Sequence, residues 1–279
     1  MSLLITIILF ALLVPWSDAT AASLFPAVTS ERKAGETPTI PVTRNQMREA
    51  EERLAQLGYW TGKVDGIIDV ATKSALIAFQ KWEGRPVTGK LALEDLEAIR
   101  NSAAPTAREI GYPHVEVDLD RQVLLIVNES NSLRVLPVST GSDEPFMDDG
   151  KQSIAYTPRG RFVVYDKSYG WENGQLGSVY YANYISGGVA IHGYLSVPNQ
   201  PASHGCIRIP MFAGREVSKI LQLGTIVLVY DKVSFVSAKE WVENPKLKEA
   251  AMLHAAAADY IQHTDKSANK KPRPRVIRS

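Results

Sequence analysis

The chain has one cysteine, Cys206, in 279 residues. A lone thiol cannot close an intramolecular disulfide, and one sulfur among five histidines is a poor basis for a structural zinc site. The special role expected of that sulfur is as a nucleophile. An excess of charge of one sign is also missing. The 31 basic residues face 30 acidic ones for a net charge of +1, which offers no strong field for nucleic acid or an anionic membrane surface. A long apolar run is absent too: the stretch Leu3 to Val14 falls short of the roughly 20 apolar residues that span a bilayer. What is present is a 45% apolar content, ordinary for a globular protein with a real core.

The small-residue patterns Ser17-Asp18-Ala19 and Thr20-Ala21-Ala22 after that apolar run suit signal-peptide cleavage. The lack of Lys or Arg before the run departs from a standard export signal. Residues 1–22 are thus expected to be a signal peptide or an uncleaved N-terminal anchor. Residues 23–42 read as a polar, Pro-containing linker.

From 43 to 100 the period is helical. Met47, Ala50, Leu54 and Leu57 recur on one face, with Asn45 as candidate N-cap and Gly58 as the stop. A turn-rich loop, Gly62 to Gly66, leads to a second amphipathic run carrying Ala71, Ala75, Leu76 and Phe79, and Leu93, Leu96 and Ile99 suggest a third. Residues 101–111, with Pro105, read as a linker.

Beyond this linker the period changes to alternation. Val115, Val117 and Leu119 alternate with polar residues, Asp120-Arg121 turns the chain, and Val123 to Val127 returns as a buried strand. Further strands are expected at Leu133–Thr140, Arg161–Asp166, Tyr180–Ile185, Val189–His192 and Thr225–Tyr230, with one helix near Met211–Leu223 closed by Gly224. The expected fold is multidomain. A small three-helix N-terminal domain precedes a mainly β, sandwich- or barrel-like domain with one helix over 112–232. Residues 233–279 would add an Ala-rich helix, about Ala238 to His263, and a tail, Lys266 to Ser279, with six Lys or Arg. That tail reads as solvated, with anionic wall polymers or lipid headgroups as its functional alternative.

Chemistry concentrates in Ile191-His192-Gly193 and Ser203-His204-Gly205-Cys206. A thiol with an ordinary pKa of about 8.5 is only a few per cent ionised at neutral pH, so a nucleophilic Cys206 needs help from a base. His204 lies two positions away and on an extended turn points elsewhere, which makes His192 the better base. His114, His254 and His263 read as satisfied polar groups, and Tyr180, Tyr181 and Tyr194 as packing.

Two stretches resemble known families. Leu54-x-x-Leu57-Gly58-Tyr59, Gly62, Asp65-Gly66, Thr72, Ala75 and Phe79-Gln80 are similar to the three-helix peptidoglycan-binding domain found beside cell-wall enzymes, although Asp69 stands where that family often has Gly. Ile191-His192-Gly193, ten residues, then Ser203-His204-Gly205-Cys206-Ile207-Arg208, with Thr157-Pro158-x-Gly160 upstream, resemble the signature of the L,D-transpeptidase catalytic domain of bacterial cell walls.

The second resemblance implies Cys206 as acyl-accepting nucleophile and His192 as proton acceptor and donor, oriented by a backbone carbonyl on its other ring nitrogen. It implies His204 and Gly205 as shaping the turn, the Gly205 and Cys206 N–H groups as oxyanion donors, and Ser203 as fixing histidine geometry. Gly193 is grouped with these positioning residues, and Arg208 is taken to hold a substrate carboxylate or brace the loop. The implied protein is an exported enzyme of the periplasm or cell wall acting on peptidoglycan stem peptides, with no metal or organic cofactor required and no nucleic-acid partner. Its acceptor would be a neighbouring stem or a protein being anchored, and carbapenem-type β-lactams would acylate it. A cysteine hydrolase using the same pair, and a wall-binding protein without activity, are the competing readings. The Ser203–Cys206 run does not resemble the sortase motif.

Overall fold

The computed structural model of the protein describes residues 41–232. The N-terminal signal or anchor, most of the first linker, and the C-terminal helix and basic tail expected above lie outside those residues. Three helices come first: α1 (Arg44–Gln56), α2 (Val70–Trp82) and α3 (Leu93–Asn101).

The N-cap of α1 is Thr43 and not Asn45. The Thr43 hydroxyl accepts from Gln46 N, and the Gln46 side chain accepts from Thr43 N at 2.9 Å, a reciprocal pair that satisfies two otherwise unpaired donors. Gly58, at φ 93°, ends the helix as expected. Asp69 caps α2 by accepting from Thr72 N at 2.7 Å, which accounts for a carboxylate at this position. Buried Glu51 holds the intervening loop by accepting from Asp65 N, Gly66 N and the Thr72 hydroxyl at 2.8 to 2.9 Å.

Twelve strands and one helix follow: β1 (His114–Asp118), β2 (Val123–Val127), β3 (Leu133–Pro137), β4 (Pro145–Asp148), β5 (Lys151–Ile154), β6 (Gly160–Val163), β7 (Asp166–Lys167), β8 (Trp171–Gly174), β9 (Gly177–Ser186), β10 (Val189–Tyr194), β11 (Ile207–Pro210), α4 (Met211–Ile220) and β12 (Ile226–Tyr230). One sheet has the order β3-β2-β1-β12-β6. The second has the order β11-β10-β9-β7 with β8 beside β9, and β4-β5 forms a separate hairpin. The domain is therefore mainly β with one helix.

The strands missed in the sequence fall into two kinds. The hairpin β4-β5 and strand β8 are largely exposed, so no apolar alternation marks them. Strand β11 is only four residues long and ends at Pro210.

The two faces of the first sheet meet different partners. Val115, Val117, Leu124 and Ile126 pack with Ile185, Ile191, Ile207 and Val217 of the second sheet and α4. Val123, Leu125 and Val135 pack instead with Leu54, Leu76, Phe79 and Ile99 of the helices. That is why β2 reads as an unbroken apolar run, since alternate residues serve two cores. Each fully buried Val or Leu contributes about 1.5–3 kcal/mol, so the three-helix region is bound to the sheet by a shared core and not only strung to it by a linker. Backbone bonds add to this, with Val135 N donating to Gly58 O at 2.9 Å and Trp60 N to Val135 O at 3.3 Å. Within the expected linker, Arg108 N and Glu109 N donate to the Glu116 carboxylate.

Candidate active site

Parallel strands β10 and β11 place the chemistry. Ile191 lies opposite Ile207 and His192 opposite Arg208. The two isoleucines are fully buried in the core, so strand alternation sends His192, Arg208 and Cys206 to the other face. There they line a cavity of about 500 Å³ together with His204, Tyr184 and Tyr194. The β4-β5 and β8-β9 hairpins contribute Phe146, Ile154, Leu176 and Val179 to its walls. A larger groove of about 830 Å³ runs between the helices and the β2-β3 edge, but it holds no nucleophile or base, and Arg134 there stacks on Trp60 at 4.7 Å.

His192 is buried, and its Nδ1 lies 3.0 Å from Gly193 O. A carbonyl can only accept, so Nδ1 carries the proton and Nε2 keeps a free lone pair. Tyr194 meets the imidazole edge-on at 5.7 Å. Gly193 permits a close crossing, because a Cβ there would sit 3.2 Å from Gly214 Cα of α4.

Cys206 is half-buried, and its Sγ donates to Gly188 O at 3.6 Å. Its loop is clamped from within. The Ser203 hydroxyl donates to Cys206 O at 2.6 Å and accepts from Gly205 N at 3.0 Å, so Ser203 braces the turn and does not hold a histidine as expected. The same bond occupies Gly205 N–H, which narrows the expected pair of oxyanion donors to Cys206 N–H. Gly205 has φ 142°, and a Cβ there would lie 2.8 Å from Tyr156 O; glycine is needed at this point. His204 is exposed on the cavity wall, its ring 4.6 Å from that of Phe146 at a tilt of 41°. Arg208 donates to Ala202 O at 3.1 Å and lies over the Tyr194 ring at 4.4 Å, a braced guanidinium at the edge of the cavity.

Several residues that hold the loop were not legible in the sequence. Ser139 exchanges backbone bonds with Arg208, and its hydroxyl donates to Gln200 O at 2.8 Å. Thr140 O accepts from both Ala202 N and Ser203 N at 2.9 Å. Thr157 accepts from Gly141 N at 2.8 Å and donates to Gly205 O at 2.7 Å, which gives the upstream Thr157-Pro158 pattern a structural role. These contacts use backbone groups of a 138–142 segment with no motif, so no residue-type signal exposes them. Tyr194, read from the sequence as packing, lines the cavity, and so does Tyr184, which no sequence signal singles out.

The electrostatics favour neutral partners. Burial pulls the His192 imidazole down to about 4, with the Gly193 carbonyl opposing and the Arg208 charge adding to the depression. Burial also pushes the Cys206 thiol up, against a backbone hydrogen bond from Ala190 and the Arg208 charge. At neutral pH the two groups therefore rest as a neutral imidazole and a protonated thiol. Among the described residues, no group of three or more His, Cys, Asp or Glu is placed to hold a metal ion.

A mainly β domain bearing this cavity, with a helical domain packed on one face of its sheet, matches two families in chain order. Residues 112–229 match the L,D-transpeptidase catalytic domain, and residues 43–98 match a peptidoglycan binding domain. Among solved structures, the L,D-transpeptidase from Xylanimonas cellulosilytica is 36% identical over 69% of this chain and 94% of that chain, with a TM-score of 0.63. The L,D-transpeptidase from Stackebrandtia nassauensis is 22% identical over 70% and 97% of the two chains, with a TM-score of 0.41. A comparison with curated proteins found no match. The chain belongs to the L,D-transpeptidase family and is an L,D-transpeptidase enzyme with an N-terminal peptidoglycan-binding domain. Both domains point to peptidoglycan as substrate and to a protein facing the cell wall or periplasm.

Proposed function

We propose that the enzyme transfers acyl groups of peptidoglycan stem peptides through a thioester on Cys206. The observation that carries this reading is a shared cavity. Its lining includes the sole thiol and a neutral imidazole whose orienting nitrogen is already engaged.

In the first step, Sγ attacks the peptide carbonyl that precedes a terminal D-alanine of the stem, and the thiol proton passes to Nε2 of His192. The C–N bond breaks, the leaving amine takes that proton, and a thioester remains. In the second step, the amine of an acceptor attacks the thioester carbonyl and gives its proton to His192. The thioester bond breaks, and the imidazole returns the proton to the sulfur. Oxyanion character would be met by Cys206 N–H, a contribution of about 2.7–4 kcal/mol where such a donor is well placed. Arg208, held by Ala202 O and Tyr194, is set to meet the carboxylate of the leaving residue. The acceptor is a neighbouring stem peptide or a protein being anchored to the wall, the N-terminal segment directs export, and carbapenem-type β-lactams acylate the same sulfur as donor mimics.

Muropeptide conversion by the wild type and by Cys206→Ala tests the reading. Cross-linked dimers from the wild type and no conversion by the variant are expected. Shortened stems without dimers would replace transfer with hydrolysis, and equal product from both proteins would remove Cys206 from the chemistry. Intact-mass measurement after carbapenem exposure should show one adduct, absent in Cys206→Ala.

A further inference from the structure

Lys81 is a charged residue where the core calls for an apolar one. It lies in the last turn of α2, against the first sheet, and only 6% of it is exposed. It makes no ion pair with any described residue. Its ammonium donates to Val138 O at 2.8 Å and to Gln122 O at 3.4 Å. Burying an ammonium without a counter-ion is costly, and burial pulls its pKa down to about 8. A methionine would fill the same space without that cost, so packing alone does not explain an amine here.

Both carbonyls lie at one place in the fold. Val138 N donates to Gln122 O at 2.9 Å, the rung at which the chain leaves β3. The next residues are the ones that grip the nucleophile loop. Thr140 N donates to Gln122 Oε1 at 3.0 Å and its hydroxyl accepts from Gln122 Nε2 at 2.8 Å. Ser139 pairs with Arg208, and Thr140 O accepts from Ala202 and Ser203. A second, independent contact joins the helices to the same loop: Asn199 Nδ2 donates to Val87 O, between α2 and α3, at 2.9 Å.

We propose that the helical domain positions the nucleophile loop, through Lys81 at Val138 and through the contact of Asn199 with Val87. The proposal rests on the reading of Cys206 as nucleophile. Lys81 touches no reacting atom; it is a positioning residue. It pins the crossing at Val138, the 138–142 segment holds Ser203, and Ser203 holds Gly205 N and Cys206 O. The domain that resembles a wall-binding module thus has a second task, which is to keep the sulfur where the reaction needs it.

The test uses the full chain, with kcat and KM measured separately on a muropeptide donor and the native-state rate of Cys206 alkylation by iodoacetamide measured alongside. Lys81→Met should lower kcat about tenfold and Asn199→Ala two- to threefold, with KM within about twofold in both, because small misplacements of a reacting group act on kcat. The alkylation rate should shift in the same variants. Lys73→Met, which removes an exposed lysine from the same helix, should match the wild type in all three. A folded Lys81→Met with wild-type kcat overturns the proposal, as does a change confined to KM. Should Lys81→Met not fold, Asn199→Ala and Lys81→Gln decide, and unchanged kcat in both overturns it. Activity retained by Cys206→Ala would instead defeat the nucleophile reading, an outcome distinguishable from full activity in Lys81→Met beside an inert Cys206→Ala.

Discussion

His114 and His192 are almost equally buried, at 1% and 3% exposure, yet their surroundings differ in what they leave open. Around His114 the hydrogen-bonding capacity is used up: Nδ1 lies 2.8 Å from Tyr112 O and Nε2 lies 3.1 Å from Glu116. Glu116 also accepts from Arg108 N, Glu109 N and the Tyr230 hydroxyl at 2.9 to 3.0 Å. Burial alone would raise the Glu116 carboxyl, but these donors hold it below its usual range. His192 has one engaged nitrogen and otherwise meets a ring edge and an open cavity. A buried imidazole with both nitrogens satisfied stabilises; one with a lone pair free in a cavity that a thiol also lines is available for chemistry.

The comparison can be broken most sharply at His192. His192→Ala should cut muropeptide conversion by about three orders of magnitude, within the 10²–10⁴ range of general acid–base catalysis, while the melting temperature stays near that of the wild type. Wild-type turnover in the variant would erase the distinction.

Glu116→Ala should show the opposite profile. Loss of a buried acceptor that serves four donors should lower unfolding stability by about 3 kcal/mol in urea titration, with kcat unchanged at temperatures where the variant is folded.

The pH dependence separates the two regions further. The folded value of His192 lies below its ordinary 6.5, near 4, so the base stays neutral in mild acid. The acid limb of kcat/KM should fall near pH 4 and not near 6.5. The unfolded chain binds this proton first. The cost of keeping His192 neutral in the folded state is therefore absent above about pH 6.5 and grows as the pH falls toward 4, and the lowered Glu116 adds loss of stability in the same direction. An acid limb at 6.5 would show that burial does not control the imidazole.

The smallest expected effect is at His114. His114→Gln keeps a polar group beside Glu116 and should cost about 1 kcal/mol, the net value of one hydrogen bond, with no change in kcat. A large loss of turnover would place the His114 cluster in the chemistry after all.

Much of this was open to a reader of the chain alone. The three helices, the strands around Val115, Val123 and Val227, and the spacing of His192 and Cys206 follow from local periodicity and a multi-part pattern. Asn45 is of a residue type that caps well, but so is Thr43, and only the reciprocal bond of Thr43 with Gln46 shows which of them starts the helix. The β4-β5 hairpin escaped because exposed strands carry no alternation.

The sequence by itself determined the types of the strongly periodic elements, the division into a helical and a β-rich part, and the residue types of the His192 and Cys206 motifs, because these are properties of neighbours along the chain. Tertiary structure alone decided that the helices share a core with β2, that Ser203 braces the turn and leaves the histidines alone, and that burial neutralises His192. Those outcomes depend on backbone carbonyls and solvent exclusion contributed by segments far apart in the chain, and neither has a residue-type signature.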